Sequence, residues 1–207
     1  MKIRYLILAT PALLVLPQIG CSSTASPSGS GSTDCMKNPI TPTCKTVALG
    51  DTTTPVVSFK TDIFGPIIRP TCNSAACHAT TLAQRTADFP PAGLYLGPAA
   101  SDNATQITDT LLSTINGELL LSSKTAPSMK IVAPGDPTQS FLMLKLTGCQ
   151  NTKSLACTVQ SPTLSETMSG CGDTMPPSCF AQSNSVALSD AQIATIGRWI
   201  AQGAKNN

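Results

Sequence analysis

The chain's only histidine directly follows a cysteine. Residues 70–80 read PTCNSAACHAT, so four residues separate Cys72 from Cys77, and His78 comes next. Covalent haem attachment needs two thiols for the vinyl groups and an imidazole for the iron, usually spaced as Cys-x-x-Cys-His. Here the small residues NSAA would form a longer loop that bulges away from the porphyrin. The stretch therefore indicates either an extended haem-attachment site or a Cys72–Cys77 disulfide loop beside an exposed histidine.

A second axial ligand to such an iron is expected from a methionine in a stiff loop. Met175 precedes Pro176 and Pro177, whose fixed φ angles would present its thioether in one orientation. Methionine ligation raises the reduction potential and leaves no open position on the iron, which suits electron transfer. Met168 and Met129 are weaker substitutes, and a five-coordinate iron would permit ligand binding or peroxidase-like chemistry. Without haem, Met-Pro-Pro would be a surface turn.

The N-terminal residues predict an exported protein. A basic start precedes an apolar stretch, 5–16, which has the length of a signal-peptide core and is too short to span a bilayer. Gly20-Cys21 then resembles a lipoprotein cleavage site. We expect residues 1–20 to be a signal peptide and Cys21 to carry a lipid, with an ordinary disulfide at Cys21 as the alternative. The protein would be anchored at a membrane, facing the periplasm or the cell surface.

The residues after the signal peptide predict a tether and one folded domain. Residues 22–34, SSTASPSGSGSTD, cannot bury apolar surface and are typical of a flexible linker. We expect 21–55 to contain this tether and a small loop closed by a Cys35–Cys44 disulfide, and 56–207 to form the domain. Two of the thirteen basic residues lie in the signal peptide, which leaves eleven against eleven acidic residues. Because there is no basic stripe, we expect no nucleic-acid partner.

Nine cysteines in an exported chain predict disulfides, because the compartment is oxidising. Two accounts use all nine: a lipidated Cys21 with two haem thioethers and three disulfides, or a lipidated Cys21 with four disulfides. The disulfide candidates are Cys35, Cys44, Cys149, Cys157, Cys171 and Cys179. The last four lie in a Ser/Thr/Pro-rich segment, 149–180, which predicts a loop stapled by two disulfides whose pairing stays open.

Helices are expected to position these residues. Apolar residues spaced by four, one, three and one predict a helix before the cysteine pair: Phe59, Ile63, Phe64, Ile67 and Ile68. Pro66 removes a backbone donor, so this helix should be short or kinked there. Residues 105–121 predict a second helix that ends at Asn116-Gly117. Residues 131–148 predict a turn at Gly135 and then a helix with Phe141 and Leu144 facing inward.

The C-terminal helix has the clearest signals. Ser189 and Gln192 form a capping box, and Leu188 and Ile193 form a hydrophobic staple. The buried face is predicted to hold Ile193, Ile196, Trp199 and Ile200, and Gly203 ends the helix. We expect Trp199 to fill the core where this helix crosses the first one.

The order of these motifs along the chain is also informative. After the first helix and the Cys…Cys-His site come GLYL at 93–96, IVAPGDPTQSFLMLKL at 131–146, MPP at 175–177 and LSDAQIATIGRWIAQGA at 188–204. This order resembles the c-type cytochrome modules of planctomycete and myxobacterial exported proteins, over residues 56–204. The resemblance implies a mainly α, cytochrome c-like domain with long disulfide-stapled loops and little or no sheet. It also implies one covalent haem c, attached at Cys72 and Cys77, with His78 and Met175 on the iron.

The sequence therefore predicts an exported, lipid-anchored monohaem cytochrome domain that exchanges electrons with a redox partner protein. The alternative is a cofactor-free, disulfide-rich surface lipoprotein, a binding or structural module on a cytochrome-like scaffold. An electron carrier is favoured over an enzyme, because no Gly-x-Ser-x-Gly elbow, phosphate loop or dinucleotide fingerprint occurs. One histidine also leaves no zinc site of the usual Cys/His composition.

Overall fold

The computed structural model describes residues 44–73, 78–79, 93–98, 107–158, 171–172, 174–176 and 188–207. Within these ranges the regular secondary structure is helical, with no β-strand and only isolated bridges that join Lys130 to Ser122 and to Ser140. The elements are α1, a π-helix, Phe59–Ile68; α2, Arg69–Thr71; α3, Asp109–Leu119; a single 3₁₀ turn, Pro137–Gln139; α4, Phe141–Thr147; and α5, Asp190–Ala201. The prediction of a mainly α domain with little or no sheet is thus confirmed for the described residues.

Helix α1 begins at a serine cap and passes through Pro66. The Ser58 hydroxyl accepts a hydrogen bond from the Thr61 amide, and the Asp62 carboxylate accepts one from the Ser58 amide at 2.7 Å. The helix does not stop at Pro66, because the backbone adopts the wider π register. In that register the Arg69 amide bonds to the carbonyl five residues back, that of Phe64. Helix α2 continues α1, so the two together lead directly to Cys72.

An aromatic stack joins the first helix to the last. The rings of Phe59 and Trp199 lie 5.2 Å apart between centroids, inclined by 26°, and both side chains are buried. The Trp199 indole N–H donates to the Lys205 carbonyl at 2.9 Å. Apolar residues of 93–98, α3 and α4 complete this main core. The prediction that Trp199 fills the core between the two helices is confirmed.

Helix α5 has the predicted start, buried face and end. The Ser189 hydroxyl accepts from the Gln192 backbone amide at 3.3 Å, and the Gln192 side-chain Oε1 accepts from the Ser189 backbone amide at 2.9 Å. All four residues of the predicted face are buried. The chain leaves the helix through Gly203, whose φ of +97° is a conformation that favours glycine.

Helix α3 ends later than predicted. It continues through Asn116-Gly117 to Leu119, and Leu119 is 1% exposed in the main core. Asn116 is buried and donates its side-chain N–H to the Ala204 carbonyl at 3.2 Å. The predicted C-cap at Asn116-Gly117 is therefore wrong, because Asn116 bonds to the distant C-terminal segment and two more helical residues bury Leu119.

The disulfides differ from the expected pairing. Cys44 bonds to Cys149, so the predicted Cys35–Cys44 loop is wrong. The Lys45 amide donates to the Thr147 carbonyl at 3.0 Å, and this contact brings Cys44 to the end of α4. A second disulfide, Cys157–Cys171, lies inside the segment predicted to be stapled, whereas Cys149 pairs outside it.

Several predicted features lie outside the described residues. They are the signal peptide, the tether, Cys21, Cys35, Cys77, Met168 and Cys179. Among the residues that the structure does describe, no helix has the length and apolar character needed to cross a membrane.

Candidate functional site

Cys72 lies at the end of the first helical segment. Its amide donates to the Ile68 carbonyl at 2.8 Å, and its half-buried side chain packs against the main core. It is a free thiol. Burial raises the pKa of this thiol, and the neighbouring Thr71 hydroxyl, 3.4 Å from the sulfur, opposes that shift in part. The thiol is therefore protonated at neutral pH.

His78 is held by backbone groups on two sides. Its amide donates to the Cys72 carbonyl at 3.2 Å, and its carbonyl accepts from the Leu96 amide at 3.0 Å. Its Nδ1 lies 3.1 Å from the Leu94 carbonyl oxygen. A carbonyl can only accept, so Nδ1 carries the proton and Nε2 carries the lone pair. The GLYL segment thus fixes both the orientation of the ring and its tautomer.

The His78 ring is also kept neutral. Burial lowers its pKa, the hydrogen bond to Leu94 opposes that shift, and the positive charge of Lys145 adds to it. A neutral imidazole with a lone pair on Nε2 is the form in which histidine binds a metal ion.

Met175 belongs to a short loop that is tied to α4. Its amide donates to the Lys145 carbonyl at 3.0 Å, and the Lys145 ammonium donates to the Cys171 carbonyl at 3.0 Å. The half-buried Met175 side chain packs against the main core, as Cys72 does. Met129, one of the two weaker candidates, is buried in a separate small cluster around Phe141. Of the methionine candidates that the structure describes, Met175 is the one that shares the core of Cys72.

The loop after Cys72 is anchored by an asparagine that the sequence did not single out. Asn73 is completely buried and donates its side-chain N–H to the Pro98 carbonyl at 2.6 Å. Among the residues that the structure describes, its side-chain oxygen finds no hydrogen-bond partner. The residue fastens the chain directly after Cys72 to the same 93–98 segment that holds His78. An asparagine within the NSAA loop gave no signal of this role, because Asn is common in loops.

Lys145 is the second residue that sequence analysis missed. Its side chain is 8% exposed, and its ammonium lies 5.9 Å from the centroid of the Phe141 ring. A usable signal was present: Lys145 lies four residues after Phe141, on the buried side of a short apolar helix.

One cavity that the described residues form lies away from this site. This cavity of about 320 Å³ is lined by residues that include Val57, Trp199 and Gln202, and none of the predicted site residues lines it. Among all the residues that the structure describes, no group of three or more His, Cys, Asp or Glu side chains is placed to hold a metal ion.

The donor set fits a c-type haem. Cys72 offers a free thiol, His78 a neutral ring with its lone pair on Nε2, and Met175 a thioether. Cys77, the second thiol that attachment requires, lies outside the described residues. Comparisons with family models, curated proteins and solved structures found no match.

Proposed function

We propose that the protein is an exported, lipid-anchored, monohaem c-type cytochrome domain that exchanges electrons with a redox partner protein. The arrangement of His78 carries this proposal. Its ring is neutral, its Nδ1–H is bonded to the Leu94 carbonyl, and its backbone is hydrogen-bonded to that of the free cysteine Cys72. A histidine that served only as an exposed polar residue would not need this support.

Each donor has a role in holding the haem. The thiols of Cys72 and Cys77 would add to the two vinyl groups, and His78 Nε2 and Met175 Sδ would ligate the iron. Bound haem supplies a one-electron ferric/ferrous couple. The Leu94 carbonyl keeps the proton on Nδ1 of His78 and makes the ring a stronger donor. If His78 and Met175 both held the iron, no position on it would be left for a substrate, which favours a carrier over an enzyme.

Export is supported by the cross-links. Disulfides persist in oxidising compartments, and the described residues contain two, Cys44–Cys149 and Cys157–Cys171. The basic and apolar residues at the N-terminus and the Gly20-Cys21 pair support lipid anchoring at a membrane.

The alternative is a cofactor-free, disulfide-rich surface lipoprotein. In its simplest form Cys72 and Cys77 would be joined, which leaves His78 without a role. The free Cys72 thiol argues against that form, since the other two cysteine pairs of the described residues are bonded.

The purified mature protein, expressed in a host that attaches c-type haem, tests the proposal. We expect a red protein whose haem remains after acid–acetone extraction. Replacing Met175 with Ala should shift the haem spectrum and lower the reduction potential, because a thioether ligand raises it. The matched control is Met129→Ala, which removes a methionine from the separate cluster and should leave both unchanged. A colourless protein with a mapped Cys72–Cys77 disulfide contradicts the proposal.

A further inference from the structure

Lys145 is buried where a lysine is rarely found. It belongs to α4, whose neighbouring residues Met143, Leu144 and Leu146 are also buried, and it is 8% exposed. Burying an ammonium is costly unless hydrogen bonds compensate for the lost water. The Cys171 carbonyl supplies one such bond, at 3.0 Å. A buried lysine that bonds to a neighbouring segment can hold that segment in place.

Both ends of the Met175 loop bond to this one residue. The Lys145 ammonium bonds to Cys171, at the start of the loop, and the Lys145 carbonyl accepts the amide of Met175 at 3.0 Å. Gln150 and Asn151, which follow α4, also hold this loop. The Gln150 side chain donates to the Gly172 carbonyl at 2.9 Å, and the Asn151 side-chain oxygen accepts from the Cys171 amide at 2.7 Å. The loop is thus fixed by α4 and the residues that follow it.

We propose that Lys145 is a positioning residue that fixes the loop of Met175 and so holds the thioether in place for ligation. This inference rests on the proposed haem site. Removing the bond from the Lys145 ammonium to the Cys171 carbonyl should loosen the Met175 loop.

The test compares three variants of the full mature chain. Lys145→Met keeps the length of the side chain and removes the ammonium, and Lys145→Arg keeps the charge and a donor. Lys130→Met is the matched control, since it removes one charge from an exposed side chain. The measurements are hydrogen exchange of the Met175 amide, the haem spectrum and the reduction potential.

In Lys145→Met we expect the Met175 amide to exchange about ten-fold faster, the effect of losing one hydrogen bond to a charged group. We also expect the spectrum to shift toward that of Met175→Ala and the potential to fall. Lys145→Arg should restore the protection, and Lys130→Met should match the unmodified protein. If Lys145→Met and Lys130→Met have equal exchange rates, the positioning role is overturned.

Two further comparisons keep the outcomes separate. In the unmodified protein, the Met175 amide should exchange as slowly as the Cys149 amide, which bonds to Leu144 in α4. Exchange as fast as that of the Thr53 amide, which donates to an Asp51 carboxylate oxygen in an exposed turn, overturns the inference even if Lys145→Met fails to fold. A colourless protein contradicts the haem proposal itself, and amide exchange in it still decides whether Lys145 fixes the loop.

Discussion

Of the two described disulfides, Cys44–Cys149 should contribute more to the free energy of unfolding. It joins residues 105 positions apart, whereas Cys157 and Cys171 are 14 apart. A cross-link lowers the entropy of the unfolded chain more when it closes a longer loop. The two loops do not overlap, so their contributions can be separated by mutation.

The loop lengths set the expected magnitudes. Loop-closure entropy gives about 5 kcal/mol for the long loop and about 3 kcal/mol for the short one, a difference of about 2 kcal/mol. Cys44→Ser and Cys157→Ser each break one cross-link. Cys44 is exposed and Cys157 half-buried, so little packing is lost with either sulfur, and the buried Cys171 stays in place.

Urea unfolding followed by circular dichroism measures both losses. Mildly acidic buffer prevents the freed thiols from exchanging, because the thiolate is the attacking species. We expect Cys44→Ser to lower the free energy of unfolding by more than Cys157→Ser does. An equal or smaller loss for Cys44→Ser would refute the loop argument, and a mapped Cys35–Cys44 bond would refute the pairing itself.

Three further predictions concern two glycines, the stack of Trp199 on Phe59, and His78. Gly117→Ala should raise the free energy of unfolding by about 0.5–1 kcal/mol in the same urea assay, because an added Cβ at this position of α3 would meet open space. Gly135→Ala should lower the free energy of unfolding by about 1–2 kcal/mol, because Gly135 has a φ of +86°. Trp199→Ala should cost about 3–5 kcal/mol in the same assay by removing the stack on Phe59. In haem-free protein, the free energy of unfolding should fall as the pH drops below about 6.5, by at most about 1.4 kcal/mol per pH unit. The reason is that His78 takes up a proton in the unfolded chain but not in the folded protein, where its pKa is lowered. His78→Gln should abolish that slope in urea unfolding followed over pH 5–7.

Local signals explain why α5 could be predicted in full. Its cap, hydrophobic staple, buried face and terminal glycine all lie between Leu188 and Gly203, and each depends only on residues a few positions apart. The end of α3 and the partner of Cys44 depend instead on residues far along the chain. Asn116 bonds to Ala204, 88 residues away, and Cys44 bonds to Cys149. Periodicity carries no information on such contacts.

The candidate site divides in the same way. Side-chain type identified Cys72, His78 and Met175, because thiol, imidazole and thioether are distinctive donors. The support of His78 comes from the Leu94 carbonyl, a group that every residue has, so no side-chain signal could reveal it. Lys145 was overlooked because a charged residue usually indicates a solvated surface, although its place four residues after Phe141 put it on the apolar side of α4.

The mass of one tryptic peptide tests the haem proposal most directly. Trypsin should release residues 61–85, since the bond between Arg69 and Pro70 resists cleavage, and this peptide carries both cysteines and His78. The proposal predicts the mass of the peptide plus one haem, with the isotope pattern of iron. A peptide lighter by two hydrogens, as a Cys72–Cys77 disulfide requires, or one with two unmodified thiols would contradict it.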